Sequence, residues 1–444
     1  MGRPCRRVFS IGGGGGLSAF AVAERAVEAV PDASARSGGL SGCLFAAARA
    51  APQRTALRDS GDRAAWCGRP AITWTYAAAA EIVGRLARGI GAWRLPAGSR
   101  IGLWFSGGAE AALAHLAVEA AGHLPCAMPA AWDPEQLAAG IEAANLVGVL
   151  TEGRRGARRP AEELTHAAMR QFGLRYLAAF GPGVPDGVIS LDAMALERGV
   201  AEPVASRGLV TFEGSDPERP VYRGAEALAA AIAAHCDALP LSADERILTL
   251  LPAHDLRGLV TGLGAALAAG AGLETVIPFE EAGFRTALLR PVPTRLVVPA
   301  LVEPALAALP LPWTVRSLNV VHRAPATLIR RAAPDGGKPR PDSSFLDVPP
   351  AGAQRLDTLV LGETALVTRP DLAATLAHPD RAPMPPDLLA LAQGSDGGLA
   401  CRGPACAAAP LPRGATPETD VGAWRDSGYR AVLSGGSVIG VAAV

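Results

Sequence analysis

Arg100–Thr151 reads RIGLWFSGGAEAALAHLAVEAAGHLPCAMPAAWDPEQLAAGIEAANLVGVLT, and the order of its apolar runs dictates an architecture. Arg100–Phe105 is an apolar run of strand length, Ala109–Gly122 is helical in pattern, Leu124–Met128 is extended, Pro134–Ala144 is helical and Leu146–Thr151 is extended again. Strands separated by helical stretches of about 10–15 residues predict a parallel sheet with right-handed crossovers and helices on its faces.

The same alternation extends both ways. Upstream, Thr75 is an N-cap for a helix over Tyr76–Trp93, in which Ile82, Leu86 and Ile90 recur every fourth residue. Downstream, Arg154, Arg155, Arg158 and Arg159 stand between Gly153 and Pro160 and read as a solvated loop joining two lobes. A helix at Ala161–Phe172 and a strand at Leu174–Ala179 follow. Strands at Gly208–Phe212, Arg246–Leu251, Leu273–Ile277 and Arg295–Val298 then alternate with helices at Ala225–Cys236, Leu259–Ala269 and Glu280–Leu289, which predicts a second α/β lobe. After Ala332 the chain is rich in Pro and Gly, and coherent elements return only at Leu356–Leu361 and from Leu399 onward, so the C-terminal third reads as irregular. The expected organisation is a Gly-rich extension over residues 1–40, α/β lobes over 41–332 and a small β-rich remainder over 333–444.

Composition narrows the functional classes. Of 444 residues 49% are hydrophobic and 19% charged, with mean hydropathy +0.22, which indicates a folded, alanine-rich interior. Acidic and basic residues balance at 42 each, so no overall field draws the chain to nucleic acid or an anionic membrane. Lys338 is the one lysine, which leaves almost no lysine chemistry. Seven scattered cysteines, an odd number in apolar surroundings, indicate reduced thiols and a cytoplasmic setting. Cys401 and Cys406 lack a nearby His/Cys pair to complete a zinc site and read as structural. Arg6-Arg7 resembles the start of a twin-arginine export signal, but Gly12–Gly16 interrupts the apolar stretch that such a signal needs. Those glycines follow no strand and precede no Lys-Ser/Thr, so they are not a phosphate loop. No run of apolar residues is long enough to predict a membrane span.

Several short motifs, in this order, resemble the superfamily of adenylate-forming enzymes that includes the acyl-CoA synthetases and peptide-synthetase adenylation domains. Thr73-Trp-Thr-Tyr76 before a long helix is similar to that family's opening, Pro96–Phe105 to its first strand, and Glu119–Pro125 to the step into the next strand. The resemblance implies a two-lobed α/β large domain that uses ATP and Mg to activate a carboxylic acid. It also shows where this chain departs. The family's Thr-Ser-Gly-Thr-Thr-Gly-x-Pro-Lys phosphate loop corresponds to Glu213-Gly-Ser-Asp-Pro-Glu-Arg-Pro-Val221, where only Arg219-Pro220 fits cleanly, Ser215 and Arg219 are vestigial nucleotide contacts, Glu213, Asp216 and Glu218 bring carboxylates, and Val221 replaces the lysine. Two like charges about 4 Å apart repel by roughly 4 kcal/mol at an effective dielectric of 20, so such a loop opposes a triphosphate. The alternative is that another arginine, such as Arg223, compensates for the missing lysine, but one arginine does not also remove three nearby negative charges.

Leu361-Gly-Glu-Thr-Ala365 is similar to the family's Tyr-Gly-x-Thr-Glu, keeping Gly362 and Thr364 but with Ala365 in place of the metal-associated glutamate; Glu363 substitutes only if the loop shifts. Trp424–Tyr429 is similar to Trp-x-x-Thr-Gly-Asp, with Tyr429 in place of the ribose-binding aspartate. His254, in Leu251–Gly258, matches a histidine bordering the family's acyl pocket, although a structural or helix-capping role fits its context equally. The family's mobile C-terminal domain, about a hundred residues carrying a catalytic lysine, is expected to be missing after Ser437–Val441. The expectation is a pseudo-enzyme that needs no cofactor and binds an acyl or aryl carboxylic acid at His254, with an acyl-carrier protein or an intact synthetase as partner. The alternatives are an active or split ligase, which would use ATP and Mg, and a purely structural subunit.

Overall fold

The computed structural model describes residues 39–306, 311–328, 353–379, 385, 387–394, 396–413, 417, 419–434 and 437–444. The Gly-rich start and the Pro334–Pro341 stretch lie outside the described residues.

The strands predicted within Arg100–Thr151 form at Arg100–Trp104, Leu124–Ala127 and Gly148–Glu152 and pair in parallel, as the intervening helices require. They lie at the centre of an eight-stranded first sheet, ordered Ala408–Pro410, Pro220–Arg223, Leu209–Phe212, Leu124–Ala127, Arg100–Trp104, Gly148–Glu152, Tyr176–Phe180, Ile189–Ser190. Their residues are buried on both faces, which explains apolar runs where a one-sided sheet would alternate. Pro220–Arg223 alone runs against the others, as a hairpin return, and Ala408–Pro410 pairs antiparallel with it as an added edge.

The second sheet also has eight strands, ordered Ala365–Arg369, Gln354–Leu361, Val315–Arg323, Thr294–Pro299, Arg246–Thr249, Gly272–Thr275, Thr55–Arg58, Thr73–Thr75. Its interior is parallel and each edge is antiparallel. A third, antiparallel sheet of five strands joins Ala326–Thr327, Ser437–Ala443, Arg425–Ser434, Gly398–Arg402 and Ala390–Gln393. Much of the stretch expected to be irregular therefore forms sheet.

The helix Gly108–Ala120 lies in a core shared by the first two sheets, with Ala109, Leu113 and Leu116 in one cluster with Leu57, Leu103, Phe105 and Leu273. Asp59 fixes its start, accepting the Ala109 N–H (2.9 Å) and pairing with Arg63. The helix Tyr76–Gly91 begins at Thr75, whose hydroxyl accepts the Ala78 N–H at 3.2 Å, and the Tyr76 hydroxyl donates to the Ala271 carbonyl at 2.8 Å.

The arginine-rich segment is neither fully solvated nor a lobe boundary. It leads from Gly148–Glu152, through the helix Pro160–Ala168, to Tyr176–Phe180, two neighbouring strands of one sheet. Arg155 is buried: it donates to Glu152 (2.7 Å) and to the carbonyls of Ala130 (2.5 Å) and Trp104 (3.2 Å), and lies over the Trp104 ring. Charge in a sequence indicates solvent only while nothing inside can satisfy it, and a carboxylate, two carbonyls and an aromatic face satisfy this guanidinium.

Candidate functional site

The strand Leu209–Phe212 ends in a one-turn 3-10 helix, Glu213–Ser215, before the chain returns along Pro220–Arg223. Gly214 and Ser215 both have φ of 65°, the left-handed region that is costly for a serine. Trp132 holds this turn, with its indole N–H donating to the Ser215 carbonyl at 2.8 Å and its ring set edge-on to Phe212. Of the three carboxylates expected to crowd the loop, Asp216 and Glu218 are exposed and only Glu213 turns inward. Its Oε2 accepts the Glu363 N–H at 2.8 Å, joining this turn to the one at 361–365.

Gly362 is required at that junction. Its φ is 58°, and a Cβ there would lie 2.5 Å from Glu213 Oε1. Glu363 points into the protein, accepting the Leu256 N–H at 3.0 Å and bonding to Thr211. Burial, and then the neighbouring Asp255 carboxylate, push its pKa up to about 8, so it is largely protonated at neutral pH. Committed inward, it does not replace the glutamate absent at Ala365.

Arg223 does not compensate for the missing lysine. It is 2% exposed and donates to the carbonyls of Ala405 (2.7 Å), Glu363 (2.7 Å) and Thr364 (2.9 Å). Burial lowers its pKa. The guanidinium binds these turns together. Arg219, exposed on the hairpin turn, has no side-chain hydrogen-bond or ion-pair partner among the described residues.

The site's third side is a helix running from Leu256–Gly258 through a π-helical stretch, Leu259–Gly264, into Ala265–Ala269. π-Helical turns are rare and concentrate at functional sites. The cap is Asp255, whose carboxylate accepts the Gly258 N–H (3.2 Å) and pairs with Arg257 (2.5 Å). His254 therefore does not cap the helix. Its ring lies 4.0 Å from Asp255, burial lowers its pKa, and its Nδ1 is buried without a partner. Arg323, at the end of Val315–Arg323, and Tyr429, on Arg425–Ser434, complete the cluster, and Nη2 of Arg323 is likewise buried and unpartnered.

Ser215, Arg219, Gly362, Thr364 and His254, from three separate elements, are thus brought to one place. Sequence reading missed Trp132, Arg323 and the inward turn of Glu363. Nothing in the local sequence distinguishes Trp132 from a core tryptophan, whereas Arg323, a cation beside Ala324-Pro325 after an apolar strand, was a signal that went unused. Among the described residues no group of three or more His, Cys, Asp or Glu side chains is placed to hold a metal ion.

A family model described as AMP-binding enzyme matches residues 44–180. The fold is that of the adenylate-forming enzymes. Amide bond synthetase McbA from Marinactinospora thermotolerans superposes with a TM-score of 0.65 at 16% identity, over 91% of this chain and 78% of that one. Apo MbtA of Mycobacterium smegmatis gives 0.59 at 19% identity, over 82% and 67%. O-succinylbenzoate coenzyme A synthetase from Bacillus subtilis, in complex with ATP and magnesium ion, gives 0.62 at 13% identity, over 90% and 98%. No curated protein matches in sequence. At the positions that the motif resemblance assigns to phosphate, metal and ribose, this chain carries an inward carboxylate at Glu213 and the side chains of Val221, Ala365 and Tyr429. No helix among the described residues is long and apolar enough to cross a membrane.

Proposed function

We propose that this chain is a degenerate acyl-CoA synthetase-like protein that binds an acyl or aryl carboxylic acid beside His254 and does not adenylate it. The reading rests on one arrangement: the Glu213 carboxylate closes the gap between the hairpin turn and the 361–365 turn, while the nearby Arg223 is buried among carbonyls. Negative charge at the phosphate position, with Arg223 committed to carbonyls, disfavours a triphosphate. ATP and Mg are accordingly not needed as cofactors. Residues 41–332 supply the lobes and 333–444 complete the large domain, in a cytoplasmic protein that docks to an acyl-carrier protein or an intact synthetase. Pyrophosphate exchange with ATP, Mg and a panel of fatty and aromatic acids tests this: acid-dependent exchange above background overturns the reading.

One observation favours a second reading, that of a split ligase. Arg219 is exposed on the hairpin turn with no side-chain partner among the described residues, beside the left-handed amides of Gly214 and Ser215. That reading needs measurable ATP affinity in this chain alone, and a flat calorimetric titration with Mg-ATP removes it. Thermal-shift screening with the same acids separates binding from a purely structural role, since a ligand at about 100 times its Kd stabilises the fold by roughly 2.7 kcal/mol.

A further inference from the structure

Arg323 ends the strand Val315–Arg323, and its register partner is Val360 on Gln354–Leu361. The Ala324 N–H donates to the Val360 carbonyl at 3.0 Å, which sets Arg323 beside the strand that enters the 361–365 turn. Successive strand residues face opposite sides of a sheet. His322 faces one side, with Nε2 3.1 Å from Asp357 Oδ1. Arg323 therefore projects from the other, the side of Val321, which shares a core cluster with Leu251, Leu256 and Leu361. The loop carrying His254 meets the 361–365 turn directly, since the Leu256 N–H donates to Glu363 Oε2 at 3.0 Å. Nη2 of Arg323 is buried, and its side chain makes no hydrogen bond or ion pair among the described residues. The carboxylates of the site are engaged elsewhere: Glu213 with the Glu363 N–H, Glu363 with the Leu256 N–H, and Asp255 with Arg257 and the Gly258 N–H.

We propose that Arg323 is the carboxylate anchor of this site, so that the site selects free acids over neutral acyl derivatives such as amides, esters and thioesters. The inference rests on the reading that a carboxylic acid binds beside His254. A cationic donor withdrawn from water without a partner is costly, and an anion arriving from solution removes that cost. The planar guanidinium presents N–H groups side by side to both oxygens of a carboxylate, and it stays charged wherever the acid is ionised. A neutral amide forms no ion pair with it. His254 Nδ1, the other buried and unpartnered atom here, supplies a further donor in the tautomer that protonates it, and burial keeps the ring neutral. Access is open on both sides of the pair: Arg323 is half-buried and the His254 side chain is 19% exposed.

The test titrates the full chain calorimetrically with benzoate and octanoate, each against its own amide, benzamide and octanamide. The wild type should bind at least one acid about tenfold or more tighter than the matching amide, the size of a charge-assisted hydrogen bond. Arg323→Gln and Arg323→Met should bring the two within about twofold by weakening the acid and leaving the amide unchanged, whereas Arg323→Lys should keep part of the preference. Because the guanidinium has no partner to lose, the Gln and Met variants should match or exceed the wild-type urea midpoint; a midpoint lowered in both marks a structural arginine and overturns the proposal. An acid preference that survives both variants also overturns it, as does equal binding of acid and amide by the wild type, and in either case the acyl-binding reading stands. A wild type that binds neither acid nor amide removes that reading and the anchor with it.

Discussion

At Gly362 two constraints coincide, a left-handed φ of 58° and a carboxylate 2.5 Å from where a Cβ would stand. Gly362→Ala should therefore cost about 2 kcal/mol in urea denaturation, roughly half from the backbone and half from displacing Glu213. Removing the carboxylate as well, in Glu213→Ala/Gly362→Ala, should leave the backbone part only; equal losses from Gly362→Ala in both backgrounds would show that the contact is immaterial. Glu363 makes a pH prediction. Its folded pKa of about 8 lies above the ordinary carboxylate value of about 4.3, so the folded protein holds a proton that the unfolded chain releases. That stability is complete below the ordinary value and is lost as pH rises toward 8. Between about pH 5 and 8 the wild-type Tm should fall relative to Glu363→Gln, which keeps the oxygen that accepts the Leu256 N–H. Parallel Tm curves would mean that Glu363 is ionised throughout.

Among the elements, the helix Gly108–Ala120 depends on a residue outside it. Asp59 accepts the Ala109 N–H at 2.9 Å and the Ile72 N–H at 3.2 Å and pairs with Arg63, while Arg63 also pairs with Glu110 at 2.5 Å. Asp59→Ala leaves buried donors and a guanidinium short of a partner, so it should cost about 3 kcal/mol by denaturant titration. Thr75→Ala, which removes a single cap bond, should cost about 1 kcal/mol. A smaller loss at Asp59 than at Thr75 would contradict this ordering. Thr75 also shows what was legible: a hydroxyl ahead of an apolar four-residue rhythm signals a helix start, and the helix begins where that signal lies. The strands within Arg100–Thr151 were equally readable, because burial on both faces leaves an unbroken apolar run. The serine and asparagine of Val315–Arg323 hid one interior strand, whereas its neighbour Gln354–Leu361 was read as a coherent element over Leu356–Leu361. Their polar atoms meet only in three dimensions, as when the Thr358 hydroxyl donates to Asn319 Oδ1 at 2.8 Å.

For the whole molecule, the order of motifs along the chain was enough to recognise the superfamily fold, yet not the allocation of strands to sheets or the positions of inward charges. Arg155, read as part of a solvated loop, and Arg223, weighed as a substitute for the missing lysine, are buried because carbonyls from distant segments converge on them, and no local window contains those partners. The segment matching the AMP-binding family model, residues 44–180, is divided between structures. Thr55–Arg58 and Thr73–Thr75 leave the first sheet to edge the second, where Leu57 is in register with Leu273, and the first sheet takes its last strand from Ala408–Pro410. Expressed alone, residues 44–180 would carry two strands without their sheet and a sheet without four of its strands. Circular dichroism and proteolysis should find that fragment unfolded, while co-expression with the remaining residues should restore protection; an independently folded fragment would contradict the strand exchange. A cut anywhere between these threaded strands would part register neighbours such as Leu57 and Leu273, so neither eight-stranded sheet is complete until both pieces meet.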